Sequence, residues 1–225
     1  MLTATGLNKS YNNLTVLKNV SLEIPKGTFV SIVGPSGAGK STLLHLLSSL
    51  DKPDQGSVSL IDTEIFKLSP KLQAKFRNQH MGFVFQAHHL LPEFTAIENV
   101  NMPLLISGMS TKEATQKSTQ ILERVGLGHR LHHKPTELSG GEQQRVAIAR
   151  AIVHHPKIVF ADEPTGNLDS QSAQAIHQLF LELQNDYQLT LVVVTHNEIL
   201  ADLADIKVTM VDGNIHKMEH IESKI

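Results

Sequence analysis

A glycine-rich loop set between a strand and a helix constrains this chain more than anything else in it. The segment Gly34-Pro35-Ser36-Gly37-Ala38-Gly39-Lys40-Ser41 follows the apolar, β-branched run Thr28–Val33 and opens a leucine-rich stretch from Thr42 to Leu50. Glycines let backbone N–H groups converge on an anion with no Cβ in the way, and the positive end of the new helix points at the same spot. In that setting Lys40 reaches the β- and γ-phosphates of a nucleotide, and the Ser41 hydroxyl ligates Mg²⁺. The chain is expected to bind a nucleoside triphosphate.

Around this loop, strand-like runs fall at 2–7, 16–24, 28–33, 56–61 and 81–85. Ser69–Gln79 predicts a helix with Pro70 in its first turn. From Thr95 to about His155 the pattern turns helical: Ile97, Val100, Leu104 and Leu105 recur at helix spacing, then Ile121, Leu122 and Val125, closed by Gly126 and Gly128. Strands return at Ile158–Ala161 and Leu191–Val194 on either side of a helical stretch, Ser170–Asn185, and the tail reads as a hairpin of Lys207–Val211 and Asn214–Met218. Strands alternating with helices predict an α/β fold with a parallel sheet. A single domain is expected, its nucleotide-binding core drawn from residues 1–86 and 156–225 and its inserted helical subdomain from 87–155.

Composition narrows the function classes. A chain of 225 residues can bury one sizeable core with an embedded subdomain. The net charge of −2, with both signs interspersed, builds no field that favours nucleic acid. The lack of cysteine excludes disulfides and thiolate metal sites. No apolar run approaches the ~20 residues that span a bilayer, and Met1–Gly6 lacks the basic-then-apolar pattern of a signal peptide. A soluble, cytoplasmic chain is expected, with any membrane role reached through a partner. The pairs His88-His89, His132-His133 and His154-His155 read as solvated or capping histidines.

Two further segments carry chemistry. An apolar strand runs into Asp162-Glu163, which suits one carboxylate on a metal and a second free to act as base. Asp162 would hold the water shell of Mg²⁺, and Glu163 would polarise a water attacking the γ-phosphate. Between the two nucleotide segments lies Leu138-Ser139-Gly140-Gly141-Glu142-Gln143-Gln144-Arg145, a serine and two glycines at the start of a helical run. Local physics leaves two readings of it open: an ordinary serine N-cap, or a second anion site at a helix tip.

The stretch Leu138–Arg145 resembles the signature motif of ATP-binding-cassette (ABC) ATPases. Gly34–Ser41 and Ile158–Glu163 then correspond to that family's Walker A and Walker B motifs, Gln86 to its Q-loop glutamine, Asn167-Leu168-Asp169 to its D-loop and His196 to its switch histidine. Tyr11 matches the aromatic that stacks on adenine. The resemblance implies a P-loop NTPase core of RecA-like type with an antiparallel β subdomain and an inserted α-helical subdomain. It also implies a head-to-tail homodimer that clamps two ATP molecules. Each nucleotide would lie between the Gly34–Thr42 loop of one copy and Ser139, Gly140 and Gly141 of the other. Ser41, Asp162 and Gln86 would attend Mg²⁺, while Glu163, Gln86 and His196 would serve hydrolysis. Asn197 and Asp62 depart from the family's usual acidic residue and glycine-led turn, respectively, without touching these contacts.

Within the family, the run Gln86–Ile106 together with Ala161–Asp169 is similar to the branch of lipoprotein-releasing, macrolide-exporter and cell-division cassette ATPases, and His88–Thr95 most resembles the lipoprotein-releasing type. That implies integral membrane permease subunits as partners and a peripheral place on the inner membrane. Leu90, Leu91 and Phe94 are expected to line a groove for a partner helix, and Leu104 and Leu105 to pack inside. A non-transport cassette ATPase is disfavoured by the short, heptad-free spacer between the nucleotide motifs. A P-loop kinase leaves Ser139–Arg145 unexplained.

Overall fold

The computed structural model describes residues 1–221, so the last four residues of the expected 156–225 core segment lie outside it. Along the chain run β1 (Leu2–Tyr11), β2 (Leu14–Ile24), β3 (Phe29–Val33), α1 (Lys40–Leu47), β4 (Gln55–Leu60), β5 (Thr63–Glu64), α2 (Pro70–His80) and β6 (Met81–Phe85). Three helices come next, α3 (Ala96–Ile106), α4 (Thr111–Arg124) and α5 (Gly140–Ile152). The chain then returns through β7 (Ile158–Asp162), α6 (Ser170–Tyr187), β8 (Thr190–Val194), α7 (Glu198–Ala201), β9 (Ile206–Val211) and β10 (Asn214–His220).

The strands form two sheets. One is antiparallel, in the order β2-β1-β4-β5; the other has the order β10-β9-β3-β8-β7-β6 and is parallel except for β10. The parallel strands are buried on both faces, and strand alternation assigns their side chains to two separate cores. Val30, Ile32, Ile158, Phe160, Val192 and Val194 join α1 and the antiparallel sheet in one. Phe29, Val159, Ala161, Leu191 and Val193 join α5, α6 and the helical segment in the other.

Register does the positioning. Ile32 pairs with Val194, Val194 with Asp162, and Asp162 with Phe85, so β3, β8, β7 and β6 end at one level. The glycine loop, His196, Glu163 and Gln86 come just after these strand ends and therefore emerge along a single edge of the sheet. That carboxyl edge is where parallel α/β sheets present ligand sites.

The helical segment is held locally as much as by its core. Thr95 and Glu98 close a capping box on α3, and Ser110 caps α4. Fully buried Asn99 knits the loop before α3: its Oδ1 accepts from Leu91 N at 2.8 Å, and its Nδ2 donates to the carbonyls of Leu91, Phe94 and Thr95 at 3.0–3.1 Å. Asn99→Leu takes this partner from Leu91 N and Phe94 O, while the carbonyls of Leu91 and Thr95 keep the N–H groups of Phe94 and Asn99, and it is expected to destabilise the chain by about 1–2 kcal/mol, measurable as a lowered midpoint in denaturant with an unchanged slope.

Two expectations need correction. Gly126, at φ 81°, closes α4, but Gly128 opens a separate 3₁₀ turn with His129 and Arg130. Leu104 is buried, as expected, yet Leu105 is 37 % exposed because it sits one step around α3 from the buried stripe of Val100 and Leu104. The short α7 was not expected; Asn197 caps it by accepting from Leu200 N at 3.1 Å, so the unusual residue after His196 has a local structural task.

Burial holds the imidazoles of His80, His88, His154 and His177 below the ordinary histidine value of 6.5. The unfolded chain then takes up protons at higher pH than the folded one. The stability these groups allow is complete above about pH 6.5 and falls as acidification proceeds through their folded-state values. The melting temperature is expected to decline as the pH is lowered below about 6.5, and less steeply in His177→Gln.

Candidate functional site

The loop between β3 and α1 is a cradle fixed by close approach. A Cβ on Gly34, whose φ is 148°, would lie 2.2 Å from Met210 O of β9. Gly39, at φ 93°, leads directly into α1 with no side chain capping that helix, which leaves its first N–H groups to an outside acceptor. Ala38 is buried, whereas Pro35, Ser36 and Gly37 are exposed. Lys40 arches back over the loop and donates Nζ to Gly34 O at 2.8 Å and Pro35 O at 3.0 Å. Its ammonium therefore stands above the cradle, and Thr42 lies in the first helical turn beside it.

Ser41 Oγ donates to Asp162 Oδ1 at 3.1 Å, joining the start of α1 to the end of β7. Burial pushes the Asp162 carboxyl above its ordinary value, against the opposing bond from Ser41. A carboxylate short of water and partnered by a hydroxyl is a hard-oxygen pair matched to a divalent cation such as Mg²⁺.

Glu163 leaves the sheet abruptly. Its φ of 45° is left-handed, a strained setting for a residue with a side chain, and its N–H is held by Val194 O at 2.9 Å. The turn aims its carboxylate at His196: Oε2 accepts from His196 N at 3.2 Å and lies 2.9 Å from His196 Nδ1. With Nδ1–H donating to Glu163, the Nε2 of the largely exposed His196 faces outward.

Gln86 takes a position the sequence did not disclose. Its Nε2 donates to Asn167 Oδ1 at 2.8 Å, and Asn167 Nδ2 donates to Gln86 O at 3.2 Å. The glutamine is thus tied to the Asn167–Asp169 turn, and among the described residues it has no hydrogen bond to Ser41 or Asp162. Asp169 in turn caps α6 through the N–H groups of Gln171 and Ser172 at 3.0 and 2.9 Å.

Ser139 caps α5 within a capping box, accepting from Glu142 N at 3.2 Å while Glu142 Oε2 accepts from Ser139 N at 2.8 Å. The N-cap reading of the serine holds, and the exposed Gly140 keeps the helix tip open to an anion. Gly140 and Gly141 face Leu168 and Ser172, 3.3 Å from their ideal Cβ positions. Among the described residues, no hydrogen bond joins this tip to the Gly34–Ser41 loop. A single copy therefore carries two anion-seeking helix starts that it does not bring together through hydrogen bonds.

Tyr11 ends β1, 44 % exposed, with its hydroxyl donating to Asp51 Oδ2 at 2.6 Å. Asp51 and the Lys9 beside it escaped sequence reading, since nothing local links position 51 to positions 9 and 11. The Asn167 partnership of Gln86 was equally hidden, although Asn167 lies in a segment singled out by its resemblance.

Residues 17–166 match the family described as ABC transporter. The chain is 52 % identical over 215 residues to the lipoprotein-releasing system ATP-binding protein LolD of Bacteroides fragilis, covering 96 % of this chain and 100 % of that one. It is 54 % identical to the protein of the same name from Cytophaga hutchinsonii, covering 96 % and 98 %. The dimeric structure of the cassette MJ0796 in a post-hydrolysis state with ADP and Pi has a TM-score of 0.91 at 39 % identity, covering 99 % of this chain and 100 % of that one.

Proposed function

This chain belongs to the ABC transporter family, and from that premise we propose that it is the ATP-hydrolysing subunit of a lipoprotein-releasing transporter, acting as a homodimer with ATP at its interface. The observation that carries the reading is identity above half, over nearly the whole chain, with lipoprotein-releasing ATP-binding proteins.

The proposed division of labour rests on the geometry. Lys40 and the N–H groups of Gly34–Thr42 bind the β- and γ-phosphates of ATP, with Tyr11 stacking on the adenine for about 1–3 kcal/mol. Ser41 and Asp162 fit Mg²⁺, whose charge would offset that of the phosphates, and Gln86 would join them once released from Asn167. Glu163 accepts a proton from the attacking water, oriented by its contact with His196 Nδ1, while Nε2 of His196 turns to the γ-phosphate. Ser139, Gly140 and Gly141 of the second copy close the site. Shifting an open/closed balance from 1:99 to 99:1 takes about 5.5 kcal/mol, so each of two nucleotides need contribute only half. Charge-assisted hydrogen bonds to a helix tip supply that scale. Loss of the γ-phosphate removes them, which opens the dimer.

Among the described residues no helix is long and apolar enough to cross a membrane. Permease subunits would hold the chain at the inner membrane, and the surface suited to them is a groove of about 500 Å³ between α2, α3 and α5. Leu50, Phe85, Met102, Ile106, Arg150 and His154 help to line it. Leu90, Leu91 and Phe94 are not in its wall: Leu90 packs against the larger core, and the other two stand exposed. The groove adjoins Gln86 through a strained pair. His88 and His89 both have left-handed φ, and Arg150 holds their carbonyls at 2.8 and 2.7 Å. Ile106, 72 % exposed, suits a hot spot. Ile106→Glu is expected to weaken co-purification of the membrane subunits about tenfold or more, with ATP-dependent dimerisation intact.

Reconstitution in proteoliposomes with the co-purified membrane subunits tests the function. ATP-dependent release of a lipoprotein to an acceptor in solution is expected. Hydrolysis coupled instead to export of a macrolide would overturn the assignment.

A further inference from the structure

The hydroxyl of Tyr11 has a partner built from two other parts of the chain. Asp51 lies just past α1, its N–H returning to His45 O at 3.2 Å, and it accepts from Tyr11 at 2.6 Å. Lys9, on β1 and only 8 % exposed, donates Nζ to Asp51 Oδ1 at 3.0 Å and Lys52 O at 2.7 Å, and lies 2.9 Å from Asp51 Oδ2. The same ammonium is 5.0 Å from the centre of the Tyr11 ring. Asp54 fastens the turn to the strand, its carboxylate accepting from Ser10 N at 2.7 Å and its N–H donating to Asn8 O at 2.9 Å. Burial opposes the Asp51 charge, but the Tyr11 hydroxyl, Lys9 and the Lys52 N–H outweigh it and hold its carboxyl below the ordinary range.

A nearly buried lysine needs paired oxygens to keep its charge, and here it finds them on the turn that ends the phosphate-loop helix. A tyrosine ring has two rotors. Anchored at Cα by β1 and at the hydroxyl by Asp51, this one cannot swing its long axis without breaking a charge-assisted bond, and because the phenolic O–H prefers the plane of the ring, the direction of that bond also favours one setting of the ring face. An unanchored ring of the same exposure would have to be immobilised by each nucleotide that stacks on it, at a cost equal to an affinity loss of about three- to tenfold.

We propose that Asp51 and Lys9 are positioning residues for nucleotide binding, which fix the Tyr11 ring against the end of α1 as a preformed platform for adenine. The inference rests on the reading of Tyr11 as that platform. It also assigns the hydroxyl to Asp51, so the base meets only the ring face.

ATP titrated into the full chain carrying Glu163→Gln, with melting temperature tracked in parallel, tests it. Tyr11→Phe leaves the Lys9–Asp51 pair intact and is expected to weaken binding about fivefold. Asp51→Ala is expected to weaken it about as much, and Asp51→Asn, which keeps an acceptor for the hydroxyl, to recover most of the loss. In a Tyr11→Phe background, Asp51→Ala should add no further loss of affinity, because the hydroxyl through which it acts is gone. Unaltered affinity in Tyr11→Phe overturns the proposal. So does an Asp51→Ala loss that is equally large in the Tyr11→Phe background, since that effect would not pass through the hydroxyl. Tyr11→Ala separates the two levels: if it binds ATP normally, the platform reading itself fails, whereas a loss in Tyr11→Ala with none in Tyr11→Phe rejects only the positioning roles.

Discussion

Glu163→Gln is expected to lower steady-state ATP hydrolysis by about 10²- to 10⁴-fold, the range for removal of a general base, while trapping a dimer that wild-type chains form only transiently. The two effects come from one change. Glutamine keeps the size and the hydrogen bonding of the side chain, so the left-handed turn at φ 45° and the contact with His196 N at 3.2 Å can persist. The ability to take the proton of water is lost. With hydrolysis stopped, the γ-phosphate stays in place and so do the bonds it makes across the interface. Light scattering with saturating Mg·ATP should report twice the mass of the chain, and with Mg·ADP the mass of one. A variant that hydrolyses ATP at the wild-type rate would remove Glu163 from its proposed role.

Gly140→Asp has the second-largest expected effect and separates binding from assembly. A Cβ at this position meets only the end of the Leu168 side chain, at 3.3 Å, so the fold can accommodate it. The new carboxylate would stand at the start of α5, in the place proposed for a γ-phosphate, where like charges repel. ATP binding to the variant's own Gly34–Thr42 loop should remain within about twofold of normal, because the change does not touch that loop. The ATP-dependent dimer should be lost, and hydrolysis should fall to background. Normal dimerisation measured by light scattering would place the γ-phosphate elsewhere.

Much of this could be read along the chain, and the limits of that reading are physical. The strand-loop-helix of Thr28–Leu50 is local: β-branched residues, then glycines, then leucines, each specifying its own conformation within a few positions. The level edge that aligns Phe85, Asp162, Val194 and Ile32 depends on strand register, which strands that are apolar on both faces do not announce; there it was the polar residues just past each strand end that marked the edge. Long-range polar contacts have no such pattern. Nothing near Asp51 announces that its carboxylate meets Lys9 and Tyr11, and nothing near Gln86 announces Asn167, because each bond joins segments brought together only by the finished fold. The groove shows the same limit. Leu90, Leu91 and Phe94 were expected to line a groove, but they are absent from the wall of the groove between α2, α3 and α5, to which α3 contributes Met102 and Ile106.

The central claim is that one nucleotide is held by two copies, the loop of one and the helix tip of the other. The chain has no native cysteine, so a directed disulfide tests this without background. Ser36→Cys and Ser139→Cys, both at exposed positions, are placed on separate chains that each carry Glu163→Gln, and the chains are mixed under mild oxidation. A disulfide-linked heterodimer that forms with Mg·ATP and is absent with Mg·ADP is the predicted result. No linked heterodimer at saturating Mg·ATP, or linkage of the same two cysteines within one chain that carries both, contradicts the account.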